Sequence, residues 1–203
     1  MLGETMSIPP LYFIRHGQTD WNAQYRFQGQ RDIPLNEKGR GEARRNGKRL
    51  SELVSDPSAM ALYCSPMTRT RQTLEGILEA AGWQDLAWAN SAVFDPRLVE
   101  ITFGDWEGWT KQEIKKNDPV NYKARAKDKW STCPPNGESY AQLSDRIRPW
   151  LETLTGPSIV VAHGGTFRVL RQILENVPIN EAPLLEVPQN KVYCWTGSEA
   201  TWQ

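Results

Sequence analysis

The stretch Ser-Ile-Val-Val-Ala-His-Gly-Gly, residues 158–165, constrains the fold more than any other. Its apolar, β-branched run is too short for a helix and is bracketed by Gly156-Pro157 and Gly164-Gly165, so it reads as a buried strand. Near the start of the chain, PLYFIR (Pro10 to Arg15) reads the same way and also runs into His-Gly. These are the only two histidines, His16 and His163. Strands that are apolar on both faces belong inside a mostly parallel sheet covered by helices on both sides. Such sheets bind ligands outside the carboxyl ends of their strands. A glycine after each histidine lets the backbone turn sharply there.

Helical patterns alternate with these strands. Glu37 to Val54 is amphipathic, with Ala43, Leu50 and Leu53 inward and many Arg/Lys outward. Ala59 to Cys64 is another apolar run. Ser65 is then the expected N-cap of a helix that has Pro66 at its first position and ends near Ala81, before Gly82. Ala92 to Leu98 reads as an edge segment interrupted at Pro96. Gly137 to Leu154 and Phe167 to Leu174 read as helices, and Leu184–Val187 with Val192–Trp195 as a closing hairpin. The polar, Pro-punctuated interval 110–136 reads as a helical insertion or lid. With no repeats, low-complexity tracts or obvious linker, residues 1–203 are expected to form a single domain.

Composition removes several function classes. Net charge is zero, which gives no reason to expect nucleic acid or an anionic membrane as partner. No stretch approaches the length of a membrane span. The opening MLGETMSIPP lacks the basic and apolar regions of a signal peptide, and Met6 is an alternative start. A soluble cytoplasmic protein is expected. Cys64, Cys133 and Cys194 are odd in number and widely spaced, against both a disulfide framework and a zinc ribbon. The spacing of Cys64 and Arg69 is one residue short for a tyrosine-phosphatase loop. The nine tryptophans are expected to fill core or cleft walls.

Other strand ends carry groups that match the histidines. Arg15 directly precedes His16. Arg69 and Gln72 share one face of the helix after Cys64, and the long Arg69 side chain can reach back to the strand end. Glu100 is followed by a glycine-rich aromatic turn. Read singly, Arg69 suits a surface ion pair and Glu100 a salt bridge to an arginine. Read together, two guanidiniums, two imidazoles and one carboxylate suit a doubly charged oxyanion such as a phosphate monoester. Imidazole is a competent nucleophile toward phosphorus, and a carboxyl group can protonate a leaving oxygen. No P-loop or aspartate-rich magnesium cluster is apparent, so cationic side chains would have to stabilise the transition state.

FIRHGQTDWN, SPMTRTRQT, EITFGDWEG, PPNGES and VAHGG occur in this order between Leu11 and about Gln172. In this the chain resembles the histidine phosphatase superfamily, also called the phosphoglycerate mutase-like family. The resemblance implies a three-layer α/β/α sandwich around a central, mainly parallel mixed sheet. It implies that His16 accepts the phosphoryl group and that Arg15, Arg69 and His163 surround the phosphate. Asn22 would help to line the phosphate pocket, and Gly164 would let the turn after His163 approach it. Glu100 would donate the proton to the leaving group. The substrate would be a small phosphate ester, with neither metal nor other cofactor required.

The resembling family contains both phosphatases and mutases. Its cofactor-dependent mutases usually carry a longer insertion after the WEG block, with a basic and tyrosine set for the phosphoglycerate carboxylate. Here only Trp109 to Pro135 separates that block from NGES, which favours a phosphatase. Lys111 to Lys129 holds seven Lys/Arg against three Asp/Glu, either a basic lid for anionic substrates or a solvated surface. Two other classes fit less well. A non-catalytic phosphate-binding module would lack the nucleophile or acid, and a two-histidine metal hydrolase would need a nearby ligand pattern that the chain does not have.

Overall fold

The computed structural model describes residues 8–203, so the readings of the opening segment and of Met6 lie outside the described residues. Six strands form one mixed sheet: β1 (Leu11–Arg15), β2 (Ala61–Cys64), β3 (Val93–Phe94), β4 (Ser158–Ala162), β5 (Tyr193–Trp195) and β6 (Ala200–Trp202). Their spatial order is β3-β2-β4-β1-β5-β6. The first four are parallel, and β5 and β6 complete the sheet antiparallel. β4 lies between β2 and β1 and is buried along its whole length, as its unbroken apolar run requires.

Side chains alternate across β4 and feed two cores. Val160 and Ala162 pack on one face with Phe13, Trp150 and Phe167. Ile159 and Val161 pack on the other with Ile14, Leu50, Leu62 and Ile77. Each fully buried aliphatic side chain contributes about 1.5–3 kcal/mol to folding. Helices α2 (Glu37–Leu53) and α3 (Thr68–Ala81) cover the second face. Helices α6 (Tyr140–Leu151) and α7 (Gly164–Leu174) cover the first. The result is the expected three-layer α/β/α arrangement. The remaining helices are the short α1 (Asp20–Ala23) and the pair α4 (Lys111–Asn117) and α5 (Pro119–Lys127) within the 110–136 interval.

The chain leaving β1 goes to α2 on one face, whereas the chain leaving β4 goes to α7 on the other. The gap between these two carboxyl ends is therefore a topological switch point, the usual crevice of an open α/β sheet. Close backbone packing holds its rim. A Cβ on Gly17 would stand 2.3 Å from the Gly39 carbonyl oxygen, so the turn after β1 seats directly on the start of α2. Asn36 caps that helix through the Gly39 N–H at 3.0 Å.

Several element boundaries differ from the sequence pattern. Ser65 does not cap α3, which starts at Thr68 with no side-chain cap. The Ala92–Leu98 segment gives only the two-residue edge strand β3, then a 3-10 turn at Pro96–Leu98. α6 starts three residues later than expected, in a capping box of Ser139 with Gln142. α7 starts earlier, directly after His163. The closing hairpin is β5 with β6, because Leu184–Val187 ends a 3-10 turn and then runs irregularly. Cys64 is buried, with its thiol pushed up to about 12 by burial, so it is an inert core residue.

Candidate active site

Three parallel strands end side by side, and each delivers its next residue to the same place. The His16 N–H donates to the Ala162 carbonyl at 3.0 Å, and the Ser65 N–H donates to the Val161 carbonyl at 2.9 Å. His16, Ser65 and His163 thus stand in register at the carboxyl edge of β1, β2 and β4. The imidazole centroids of His16 and His163 are 5.2 Å apart, with the rings inclined at 59°.

Hydrogen bonds fix the two tautomers differently. His16 Nδ1 lies 2.7 Å from the Gly17 carbonyl oxygen. A carbonyl only accepts, so Nδ1 carries the proton and Nε2 keeps a free lone pair. Arg69 Nε donates to His163 Nδ1 at 3.3 Å, so that nitrogen accepts and Nε2–H donates to Ser65 Oγ at 2.8 Å. Burial holds His16 well below the usual histidine range, with the Arg69 and Arg15 guanidiniums adding to the effect. Burial does the same to His163, reinforced by Arg69, His16 and Arg15. Both rings are neutral at neutral pH.

The cations are built in rather than solvated. Arg69 is fully buried. Its Nη1 donates to the Arg31 carbonyl at 2.8 Å and its Nη2 to the Gly29 carbonyl at 2.7 Å. Glu107 in turn docks that loop. It accepts the Gln30 N–H at 3.0 Å and faces Arg31 at 3.4 Å, and Gly29 leaves no room there for a Cβ. Arg15 Nη1 donates to the Val187 carbonyl at 2.8 Å, while its buried Nε has no partner among the described residues. Burial pulls both guanidiniums down to about 10, which leaves them cationic at neutral pH. A buried, unpaired guanidinium N–H beside a neutral imidazole is an unfilled donor for an anion.

Asn22 sits in α1, where its Oδ1 accepts from the Thr19 N–H at 3.2 Å and from Gln189 Nε2 at 3.3 Å. Glu100 follows the 3-10 turn rather than a strand end. Its Oε1 accepts the Gly165 and Ile101 N–H groups, each at 2.9 Å, so it caps the start of α7 and makes no ion pair with an arginine. Arg146 fixes the turn by donating to the Glu100 and Arg97 carbonyls and pairing with Glu138. Asp105 is exposed and held by Asn136.

The two glycines after His163 differ in their surroundings. A Cβ on Gly164 would meet Arg15 Nε at 3.5 Å, an ordinary contact. A Cβ on Gly165 would stand 2.4 Å from Glu100 Oε1. The position that must lack a side chain is therefore Gly165, where the backbone approaches the carboxylate. The sequence reading also missed Ser65, Glu107 and Gln189. Gln189 Nε2 donates to the His16 carbonyl at 3.0 Å and ties the C-terminal loop to the site. Glu107 was legible as part of the WEG block, whereas nothing local marks Gln189.

A model of the histidine phosphatase superfamily (branch 1) matches residues 11–203. The chain belongs to that superfamily. Its members are phosphatases or mutases, so this histidine phosphatase relative is an enzyme by family. It is 33% identical over 174 residues to a 2,3-bisphosphoglycerate-dependent phosphoglycerate mutase of Bartonella tribocorum, a match covering 82% of each chain. Among solved structures it resembles the α-ribazole phosphatase of Shigella flexneri, with a TM-score of 0.79, 26% identity, and 96% of this chain and 94% of that one covered. It also resembles a mycobacterial glucosyl-3-phosphoglycerate phosphatase in complex with VO3, with a TM-score of 0.76, 28% identity and 96% of each chain covered. Equal coverage means that the Bartonella mutase is nearly the same length as this chain. A mutase and phosphatases of similar size thus stand together among its relatives. Among the described residues no helix is long and apolar enough to cross a membrane.

Proposed function

We propose that the chain is a phosphomonoester hydrolase that works through a phosphohistidine on His16, without a metal ion. The observation that carries this reading is the His16 tautomer. Nδ1–H is locked onto the Gly17 carbonyl, which leaves the Nε2 lone pair free in a pocket walled by two guanidiniums. Nε2 attacks phosphorus in line with the ester oxygen. Arg15, Arg69 and Asn22 bind the phosphoryl oxygens and stabilise their charge, and His163 joins them when its Nε2–H exchanges Ser65 Oγ for a phosphoryl oxygen. Glu100 is the general acid that gives a proton to the departing alkoxide. Its carboxylate then takes a proton from the water that attacks phosphorus, releasing inorganic phosphate and restoring neutral His16.

The donor set supports a metal-free reaction. No group of three or more His, Cys, Asp or Glu is arranged to hold a metal ion among the described residues, and the adjacent guanidiniums repel cations. The segment 110–136 acts as a lid over the leaving group within a single domain. The mutase reading has its own support in the Bartonella relative. A cavity larger than a three-carbon acid needs, described below, weighs toward a phosphatase. Inorganic phosphate release should exceed interconversion of 2- and 3-phosphoglycerate, with or without 2,3-bisphosphoglycerate, and should survive EDTA. Mutase turnover well above phosphate release would reverse the choice, and loss with EDTA restored by one metal would end the metal-free mechanism.

A further inference from the structure

Under the 110–136 segment lies a cavity of about 450 Å³. Phe27, Phe103, Trp106, Tyr122 and Tyr140 line it with aromatic side chains. Lys111, Arg125, Lys129 and Arg168 contribute charge, and no carboxylate lines it. Among the described residues none of these four cations forms an ion pair.

Two of these cations, Arg125 and Arg168, are held in place without being neutralised. Arg125 is buried, donates to the Thr132 carbonyl and lies 5.7 Å from the Phe103 ring centroid and 5.9 Å from that of Tyr140. Arg168 Nε donates to the Leu185 carbonyl at 2.8 Å, and its Nη1 is 3.4 Å from the Tyr140 hydroxyl. The same Nη1 stands 3.7 Å from where a Cβ on Gly164 would lie, so Arg168 joins the cavity to the His163 turn. Burial, and then repulsion from Arg168, Lys111 and Arg125, holds Lys129 below its ordinary range. Four like charges gathered without a counter-ion raise the potential of the cavity, and a bound anion relieves it.

We infer that this cavity takes the leaving group of a phosphate ester whose alcohol part is planar and carries a second anionic group. The inference rests on the phosphomonoesterase reading and names its substrate class. Five aromatic side chains give a flat ligand broad faces to pack on, with the cations at its edge for a carboxylate or second phosphate. The volume is in the range of pockets that hold ring-sized ligands, whereas a three-carbon acid would leave much of it to water.

Binding of phenyl phosphate, 4-carboxyphenyl phosphate and 3-phosphoglycerate to His16→Ala, measured by calorimetry, reads the pocket without the chemistry. The carboxylated aryl ester should bind about tenfold tighter than either of the others, roughly the effect of one well-placed charged contact. In Lys129→Met on that background the preference over phenyl phosphate should fall toward one. Equal binding of the two aryl esters, with normal phosphate release by the wild type, would overturn the inference and leave the phosphatase reading intact. Tenfold selectivity with no turnover of any ester by the wild type would do the reverse. Binding of 3-phosphoglycerate as tight as that of the carboxylated aryl ester would overturn the planar part.

Discussion

The ends of β1 and β4 have the same local sequence, an apolar strand running into His-Gly, yet their imidazoles are prepared for different work. His16 spends one nitrogen on its own next carbonyl and keeps the other free. His163 has both nitrogens engaged, one by Arg69 and one by Ser65, each far away in sequence. The strand and the glycine decide where an imidazole stands. Its non-local partners decide which nitrogen carries the proton. A free Nε2 suits a nucleophile, whereas a ring clamped from both sides suits an orienting group that meets charge developing on the phosphate.

The largest test of this asymmetry is to remove each ring in turn. His16→Ala should lose turnover by about 10⁴-fold or more, together with all acid-labile, base-stable phosphoryl label after a base quench. His163→Ala should lose about 10²–10³-fold and still form the labelled intermediate slowly. Equal losses with label absent from both would mean that the two strand ends act as one unit. Ser65→Ala should cost less again, because it leaves a buried Nε2–H unpaired without removing the ring.

Next in size is the acid. Glu100→Gln should slow phosphoenzyme formation about 10²–10⁴-fold with alkyl phosphates and far less with p-nitrophenyl phosphate, whose leaving group needs little protonation. Similar losses with both esters in single-turnover measurements would assign Glu100 a structural role as the cap of α7.

A smaller contrast separates the two glycines after His163. Gly165→Ala should displace the Glu100 carboxylate and lose rate mainly on alkyl esters, about tenfold or more. Gly164→Ala, where a methyl group finds ordinary contact, should lose less and show no dependence on the leaving group. The reverse order would mean that the approach to the phosphate, rather than to Glu100, limits this turn.

The smallest expected effect is on stability. Both histidine pKa values are depressed in the folded protein, so below about pH 6.5 the unfolded chain binds protons that the native chain refuses. Stability should therefore be full above that pH and fall as pH drops through it, by up to about 1.4 kcal/mol per pH unit for each histidine. Denaturant melts at pH 7.5 and 5.5 check this. His16→Ala and His163→Ala should each flatten the decline, and saturating inorganic phosphate, which favours protonated imidazole, should flatten it as well. A decline unchanged in both variants would place its origin in other groups.

What the sequence made legible was whatever a single local pattern determines. The two strand ends follow from apolar runs closed by glycine, and Arg69 follows from its place near the start of the helix after Cys64. What it concealed depends on partners far away. Ser65 reads as a helix cap because Ser-Pro is a good local cap, but its real partner is His163, 98 positions on. Leu184–Val187 reads as a strand because it is apolar. In the fold its neighbourhood gives up sheet pairing, and the Leu185 and Val187 carbonyls receive the Arg168 and Arg15 guanidiniums instead. Gln189 reaches His16 from 173 positions away, with no motif to announce it. Gly165 was distinguishable from Gly164 only once the carboxylate it faces had been placed.

The position of β1 in the sheet also shapes how the chain is made. Its two neighbours are β4 and β5, both near the far end of the chain, so Leu11–Arg15 has no strand to pair with while most of the protein is being synthesised. At about 5–20 residues per second, a bare apolar strand waits on the order of ten seconds or more for Ser158–Ala162 to emerge. During that time it presents unpaired N–H and C=O groups to any other nascent chain. The His16 half of the site is made early and becomes functional last. Truncation before β4 would leave a product with an exposed, unpaired strand rather than a partly active enzyme.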